Sequence, residues 1–227
     1  MAKIAGLYVI IDPAACRGRE PVAVGLDALA GGASVIQWRD KLRDKGEQLA
    51  DAAALFGACQ QYDAVFIVND DADLALVLAG DTQPEFGAIG VHVGQTDLPL
   101  ESLWRIVPDY FIVGASTNNV DEAIAAEAAG ADYVAVGDIF GTAAKQGTRP
   151  ASPDRLREVR DAVGLPVVGI GGITKDNAGK VIAAGADAVA VLSAVCAADN
   201  PERVARELVA AIRAAVSARQ KGPDGRD

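Results

Sequence analysis

Apolar positions along this chain follow two alternating rhythms. Short runs rich in β-branched residues lie near positions 7–12, 34–39, 64–69, 88–93, 110–115, 133–138, 166–170 and 188–193, with the length and composition of strands. Helix-length stretches separate them. In the last of these, Val204, Leu208, Ile212 and Val216 recur every fourth residue, and in the second Leu49, Ala53, Phe56 and Cys59 mark an apolar face. Runs such as Val134-Ala135-Val136 and Ala188-Val189-Ala190-Val191-Leu192 are continuously apolar, as suits parallel strands covered on both sides.

The helical stretches end in Ala30-Gly31-Gly32-Ala33, Ala129-Gly130-Ala131-Asp132 and Ala184-Gly185-Ala186-Asp187, where glycine supplies the left-handed residue that stops a helix. Eight strand-then-helix units predict a single-domain (β/α)8 TIM barrel over residues 1–220. An open doubly wound sheet is the alternative. The tail 221–227 carries no apolar residue and is expected to be disordered.

Charge narrows the partners. Thirty-one acidic against 21 basic residues give a net charge of −10, which disfavours nucleic acid and anionic membranes and requires local cations for any anionic ligand. The first residues run straight into a strand pattern, and no apolar run approaches the ~20 residues of a membrane span; a cytoplasmic protein is expected. Three scattered cysteines without CxxC spacing read as reduced thiols. The single histidine, His92, lies within an apolar alternation and reads as a satisfied barrel residue. It makes histidine-rich metal sites improbable but leaves a carboxylate site for a hard cation open.

In such barrels the chemistry sits just past the strand ends, and those positions are polar here. Gln37, Arg39 and Lys41 alternate after the second strand, so extended geometry puts them on one side. Asn69, Asp70 and Asp71 follow the third, and Gly94-Gln95-Thr96-Asp97 the fourth. Asp70 and Asp97 are candidates to share Mg²⁺, which needs only one or two carboxylates beside water and phosphate oxygens; helix capping is the competing role for each. Gly171-Gly172 after the seventh strand and Ser193 after the eighth predict a phosphate site built from bare backbone N–H groups. Ser116 offers a further hydroxyl. The glycine-bearing stretch Phe140 to Pro150 reads as a candidate lid carrying Lys145.

Taken together in this order, Gln37-x-Arg39-x-Lys41, Val68-Asn69-Asp70-Asp71, His92-Val93-Gly94-Gln95-x-Asp97, Lys145 and Gly169-Ile170-Gly171-Gly172-Ile173 resemble the thiamine phosphate synthase family, from Tyr8 to about Ile212. The resemblance implies a Mg²⁺-dependent transferase joining hydroxymethylpyrimidine pyrophosphate to thiazole phosphate, or its carboxylated form, with release of pyrophosphate. It implies Asp70 and Asp97 as Mg²⁺ ligands, and Gln37, Arg39, Lys41, Asn69, Ser116 and Lys145 around the pyrimidine and its pyrophosphate. Arg39, Lys41, Lys145 and Ser116 would carry catalysis, while Thr142, Gly171, Gly172, Leu192 and Ser193 would hold thiazole phosphate. A homodimer is expected from the general frequency of such assemblies.

This chain departs from the family pattern at Asp138 and Gly141, where the family usually has proline, at Ala144 in place of threonine, and at Asn118 in place of histidine. Two other readings therefore stand beside the synthase: a thiazole tautomerase of the same fold, and a noncatalytic phosphate-binding barrel.

Overall fold

The computed structural model describes residues 4–80, 88–141 and 149–221. Eight parallel strands close on themselves in sequence order: β1 (Gly6–Ile11), β2 (Val35–Trp38), β3 (Val65–Asn69), β4 (Ile89–Val93), β5 (Ile112–Thr117), β6 (Tyr133–Val136), β7 (Val167–Ile170) and β8 (Ala188–Val191), with β8 returning to pair with β1. The open sheet is thereby excluded. Helices follow the strands: α1 (Pro21–Ala30), α2 (Lys45–Gln61), α3 (Ala72–Ala79), α4 (Leu100–Leu103), α5 (Val120–Ala128), α6 (Pro153–Ala162) and α7 (Ala178–Ala183), and then both α8 (Ser193–Cys196) and α9 (Pro201–Lys221) after β8. The helix stops predicted at glycine hold, with Gly32, Gly130 and Gly185 all at positive φ. Lys221 closes α9 rather than opening the tail; residues 222–227 lie outside the described residues.

Strand alternation divides the core into two. Leu7, Val9, Ile36, Trp38, Phe66, Val68, Val91, Val134 and Val189 face outward into the layer beneath the helices. Tyr8, Ile10, Val35, Val65, Ile67, Tyr133, Ala135, Val168, Ala188 and Ala190 pack into a separate inner cluster. The interior is filled unevenly. Tyr8 and Tyr133 are fully buried rings, and Gly114 makes room for one of them: a Cβ there would lie 2.1 Å from the Tyr133 ring. Gly90 serves close strand approach instead, since a Cβ there would lie 1.9 Å from the Ile112 carbonyl oxygen.

The apolar face expected on α2 is displaced. Leu49 and Ala53 are exposed, whereas Gln48, Ala52, Leu55, Ala58 and Cys59 are buried. Gln48 is drawn in because its amide oxygen accepts a 3.1 Å bond from the Trp38 indole nitrogen and its nitrogen donates 2.7 Å to the Arg43 carbonyl. A polar residue that satisfies two buried groups thus occupies a position that hydropathy alone assigns to solvent.

The space for the Tyr133 ring makes Gly114 sensitive to a single added methyl. Gly114→Ala is expected to destabilise the barrel by about 1–3 kcal/mol through overpacking, read as a lower urea midpoint at unchanged slope.

Candidate active site

A cavity of about 420 Å³ opens at the C-terminal rim of the barrel, within the usual range for small-molecule sites. Inward-facing strand positions and the loops after β7 and β8 line it. Of the residues expected from sequence, Gln37, Arg39, Asn69, Ser116, Gly171, Gly172, Leu192 and Ser193 all contribute to its wall. Lys41, Asp70 and Asp97 lie beside the cavity rather than in its lining. Thr142, Ala144 and Lys145, with most of the expected lid, fall outside the described residues.

Each cation on the β2 side is already matched to an acid. Arg39 continues the β1–β2 ladder through its N–H to the Ile11 carbonyl at 3.0 Å, and its guanidinium pairs with Asp12. Asp12 is buried and also accepts from the Ala14 N–H at 3.0 Å, capping the short 3₁₀ turn Pro13–Ala15. Lys41 is half exposed and pairs with Asp70. The period-two reading of Gln37, Arg39 and Lys41 therefore holds for the first two, while Lys41 turns to the next strand end.

Asp70 stands at φ 60°, a left-handed conformation that aspartate tolerates better than most residues. Its N–H donates 2.8 Å to the His92 carbonyl, which fixes it to the end of β4. Its carboxylate accepts from Asn69 Nδ2 at 2.7 Å and from Lys41. Burial raises the Asp70 pKa, opposed by Lys41 and reinforced by the neighbouring Asp97 carboxylate. Asp97 also accepts from the Gly94 N–H at 2.8 Å. Neither carboxylate caps a helix: α3 begins after Asp71, without a side-chain cap bond, and α4 after Pro99. Two acids brought together on adjacent loops and crowding each other fit a divalent cation. Among the described residues no group of three or more His, Cys, Asp or Glu forms a metal cluster, so substrate oxygens and water would supply the other ligands.

On the β7–β8 side the lining carries no charged side chain, with the Asp138 carboxylate behind it. Gly171 and Gly172 both have positive φ, 106° and 61°, and no larger residue fits either place. A Cβ on Gly171 would lie 2.0 Å from Asp138 Oδ1, and one on Gly172 would lie 2.3 Å from the Gly141 carbonyl oxygen. The loop is held from behind by Phe140 N–H to Gly171 O at 3.1 Å and Asn177 Nδ2 to Gly172 O at 3.0 Å. Bare backbone thus faces the cavity next to Leu192 and Ser193.

A family profile described as thiamine monophosphate synthase matches residues 7–195. The chain belongs to this family. It is 44% identical to a thiamine-phosphate synthase of Methanospirillum hungatei over 84% of this chain and 89% of that one. With a thiamine-phosphate synthase of Methanocella arvoryzae it shares 43% identity over 91% and 94% of the two chains. Among solved structures, a thiamine phosphate pyrophosphorylase from Pyrococcus furiosus superposes with a TM-score of 0.82 at 36% identity, covering 93% of this chain and 97% of its own.

Against the synthase family, the departures are structural in character. Asp138 is buried, its N–H donates 2.9 Å to the Arg149 carbonyl and its own carbonyl accepts from Ala151 at 2.8 Å; it does not line the cavity. Asn118 Nδ2 donates to the carbonyls of Gly137 at 2.7 Å and Arg149 at 2.9 Å. An amide so engaged clamps the segments either side of 142–148 and offers no proton-shuttling base.

Sequence reasoning missed Tyr8, Asp12, Arg17 and Tyr133. Asp12 carried a legible signal, an acid immediately after a strand, but its partner Arg39 is 27 residues away. Removing Asp12 leaves Arg39 uncompensated in a largely buried setting and strips a cap. Asp12→Ala is expected to cost on the order of 3 kcal/mol, measured by chemical denaturation, with Asp12→Asn recovering the cap's share.

Proposed function

We propose that this barrel joins hydroxymethylpyrimidine pyrophosphate to thiazole phosphate, giving thiamine phosphate and pyrophosphate. The observation that carries the reading is the polarity across one cavity: Arg39 in its lining on the β2–β4 side with Lys41 and the acid pair beside it, and bare glycine backbone on the β7–β8 side. Two differently charged ligands are thereby held facing each other. Membership of the synthase family supports the same reaction.

The chemistry needs a leaving group and a nucleophile in line, with little proton transfer. The bond between the pyrimidine methylene carbon and the pyrophosphate oxygen breaks, its electron pair leaving with the pyrophosphate. The thiazole nitrogen lone pair then forms the new C–N bond. Charge separation is the barrier, so fixed donors and cations at the departing oxygens lower it. Arg39, Lys41, Ser116 and Lys145 serve the pyrophosphate in this reading, and Gln37 and Asn69 hold the pyrimidine. Gly171, Gly172, Leu192, Ser193 and Thr142 hold thiazole phosphate. Asp70 and Asp97 are the residues that would hold Mg²⁺, which when bound would supply charge neutralisation to the leaving pyrophosphate. A cytoplasmic homodimer completes the proposal; no helix among the described residues is long and apolar enough to cross a membrane.

Pyrophosphate release that requires both substrates, with matching thiamine phosphate, is the expected result with purified protein. Absence of release over a range of substrate and Mg²⁺ concentrations would overturn the reaction. Lys41→Ala is expected to lower kcat by about 10²-fold while changing the KM for thiazole phosphate little.

Metal binding has its own readout. In the absence of substrate, Mg²⁺ at about ten times its Kd is expected to raise the Tm by about 2–4 °C, and Asp97→Ala to abolish that rise. Equal shifts in both proteins would remove the acid pair from the metal site.

A further inference from the structure

An unbroken line of polar groups crosses the barrel interior at the cavity, and each of its members contributes to the lining. Gln37 Nε2 donates to the Tyr8 hydroxyl at 2.6 Å, the Tyr8 and Tyr133 hydroxyls are 3.0 Å apart, Tyr133 meets His92 Nδ1 at 3.0 Å, and His92 Nε2 meets Ser116 Oγ at 2.9 Å. The Tyr133 and His92 rings also stack, with centroids 5.5 Å apart. Tyr8 and Tyr133 are buried at the cavity wall, and burial raises both phenol pKa values, keeping them protonated.

The donor inventory gives this line a direction. An amide nitrogen only donates, so Tyr8 accepts from Gln37 and its single O–H proton goes to Tyr133. Tyr133, already accepting, donates its own proton to His92 Nδ1. A neutral imidazole with Nδ1 accepting carries its proton on Nε2, so His92 donates to Ser116 Oγ. Ser116 lines the cavity, and with its oxygen accepting from His92 its own O–H is released toward a ligand. At the other end, Gln37 gives one of its two amide N–H groups to Tyr8, which fixes the amide plane and presents its carbonyl oxygen as an acceptor.

We infer that Tyr8 and Tyr133 are positioning residues of the transfer reaction: through His92 they hold Ser116 as a donor to the leaving pyrophosphate and Gln37 as an acceptor for the aminopyrimidine amine. The inference rests on the substrate placement proposed above. It explains two large polar rings in a barrel otherwise filled by aliphatic side chains, and the glycine opposite Tyr133. It also assigns the one histidine as a relay of orientation, with both ring nitrogens committed, and not as a general base.

Because His92 is the only histidine in the chain, ¹⁵N-histidine labelling reports a single imidazole. The wild-type spectrum is expected to show an unprotonated Nδ1 and a protonated Nε2. Tyr133→Phe keeps the ring stack but removes the donor to Nδ1; mixed tautomers and a kcat about tenfold lower, with the KM for thiazole phosphate unchanged, are expected. Tyr8→Phe leaves Tyr133 able to donate, so the His92 signals stay as in wild type while the KM for the pyrimidine substrate rises severalfold. A purely structural role for the tyrosines would not produce that ordering. A wild-type imidazole protonated on Nδ1, or unchanged signals and kcat in Tyr133→Phe, would overturn the inference even with the reaction intact. The spectra need no substrate, so a wild-type protein that makes no thiamine phosphate would instead overturn the reaction assignment on which the kinetic roles depend.

Discussion

Parallel strands closed on themselves impose one constraint from which the rest follows: every second side chain must point into one enclosed interior or into the cavity at its rim. Closure satisfies the backbone by hydrogen bonding all round, leaving no edge, but it fixes the interior volume. That volume is filled here by two tyrosines among alanines and Gly114. A phenol in such a place demands partners, and the partners it finds are the polar residues at the rim. The packing of the barrel and the orientation of its site are therefore one problem with one solution, since Tyr133 at once fills the space beside Gly114 and addresses His92.

Electrostatics at the rim obeys a second economy. An acidic chain that binds anions has to keep its cations in place before the ligand arrives, and it does so by pairing Arg39 with Asp12 and Lys41 with Asp70. These pairs hold long side chains at the cavity margin, lowering the ordering cost on binding. The two supports differ. Asp12 is buried and tied to backbone, a fixed counter-ion, whereas Asp70 is partly buried and crowded by Asp97, so that Lys41 opposes an upward push on its pKa from both.

Much of this was legible from residue order. The eight strands fall within a few residues of their expected places, because β-branched runs between amphipathic stretches admit little else. Gln37, Asn69, Ser116 and Gly171-Gly172 could be located because a polar residue or paired glycine at the end of an apolar run has no core role to play. The acid pair was found because β3 and β4 are adjacent. What escaped notice was of another kind. Tyr8 and Tyr133 read as ordinary β-prone aromatics, and only the pairing of positions 125 residues apart gives their hydroxyls a purpose. Gln48 gave no signal because its partner, Trp38, sits on a different element. Local pattern reveals which way a residue faces; it does not reveal what it will meet there.

Closure also has a consequence in time. β1 pairs with β8, and beyond that ladder the Arg19 guanidinium binds the carbonyls of Cys196 and Ala198 while the Cys196 thiol donates to the Ile10 carbonyl at 3.2 Å, so the two ends of the barrel are stitched together across nearly the whole chain. None of that stitching exists until the end of the message has been read. At ~5–20 residues per second, β1 waits roughly 10–35 s on the ribosome for β8, with one flank unpaired throughout. The same hydrogen bonds that abolish the edge in the finished barrel are thus the last to be supplied during synthesis. For that interval the first strand carries an open edge, the kind of surface on which chains pair wrongly.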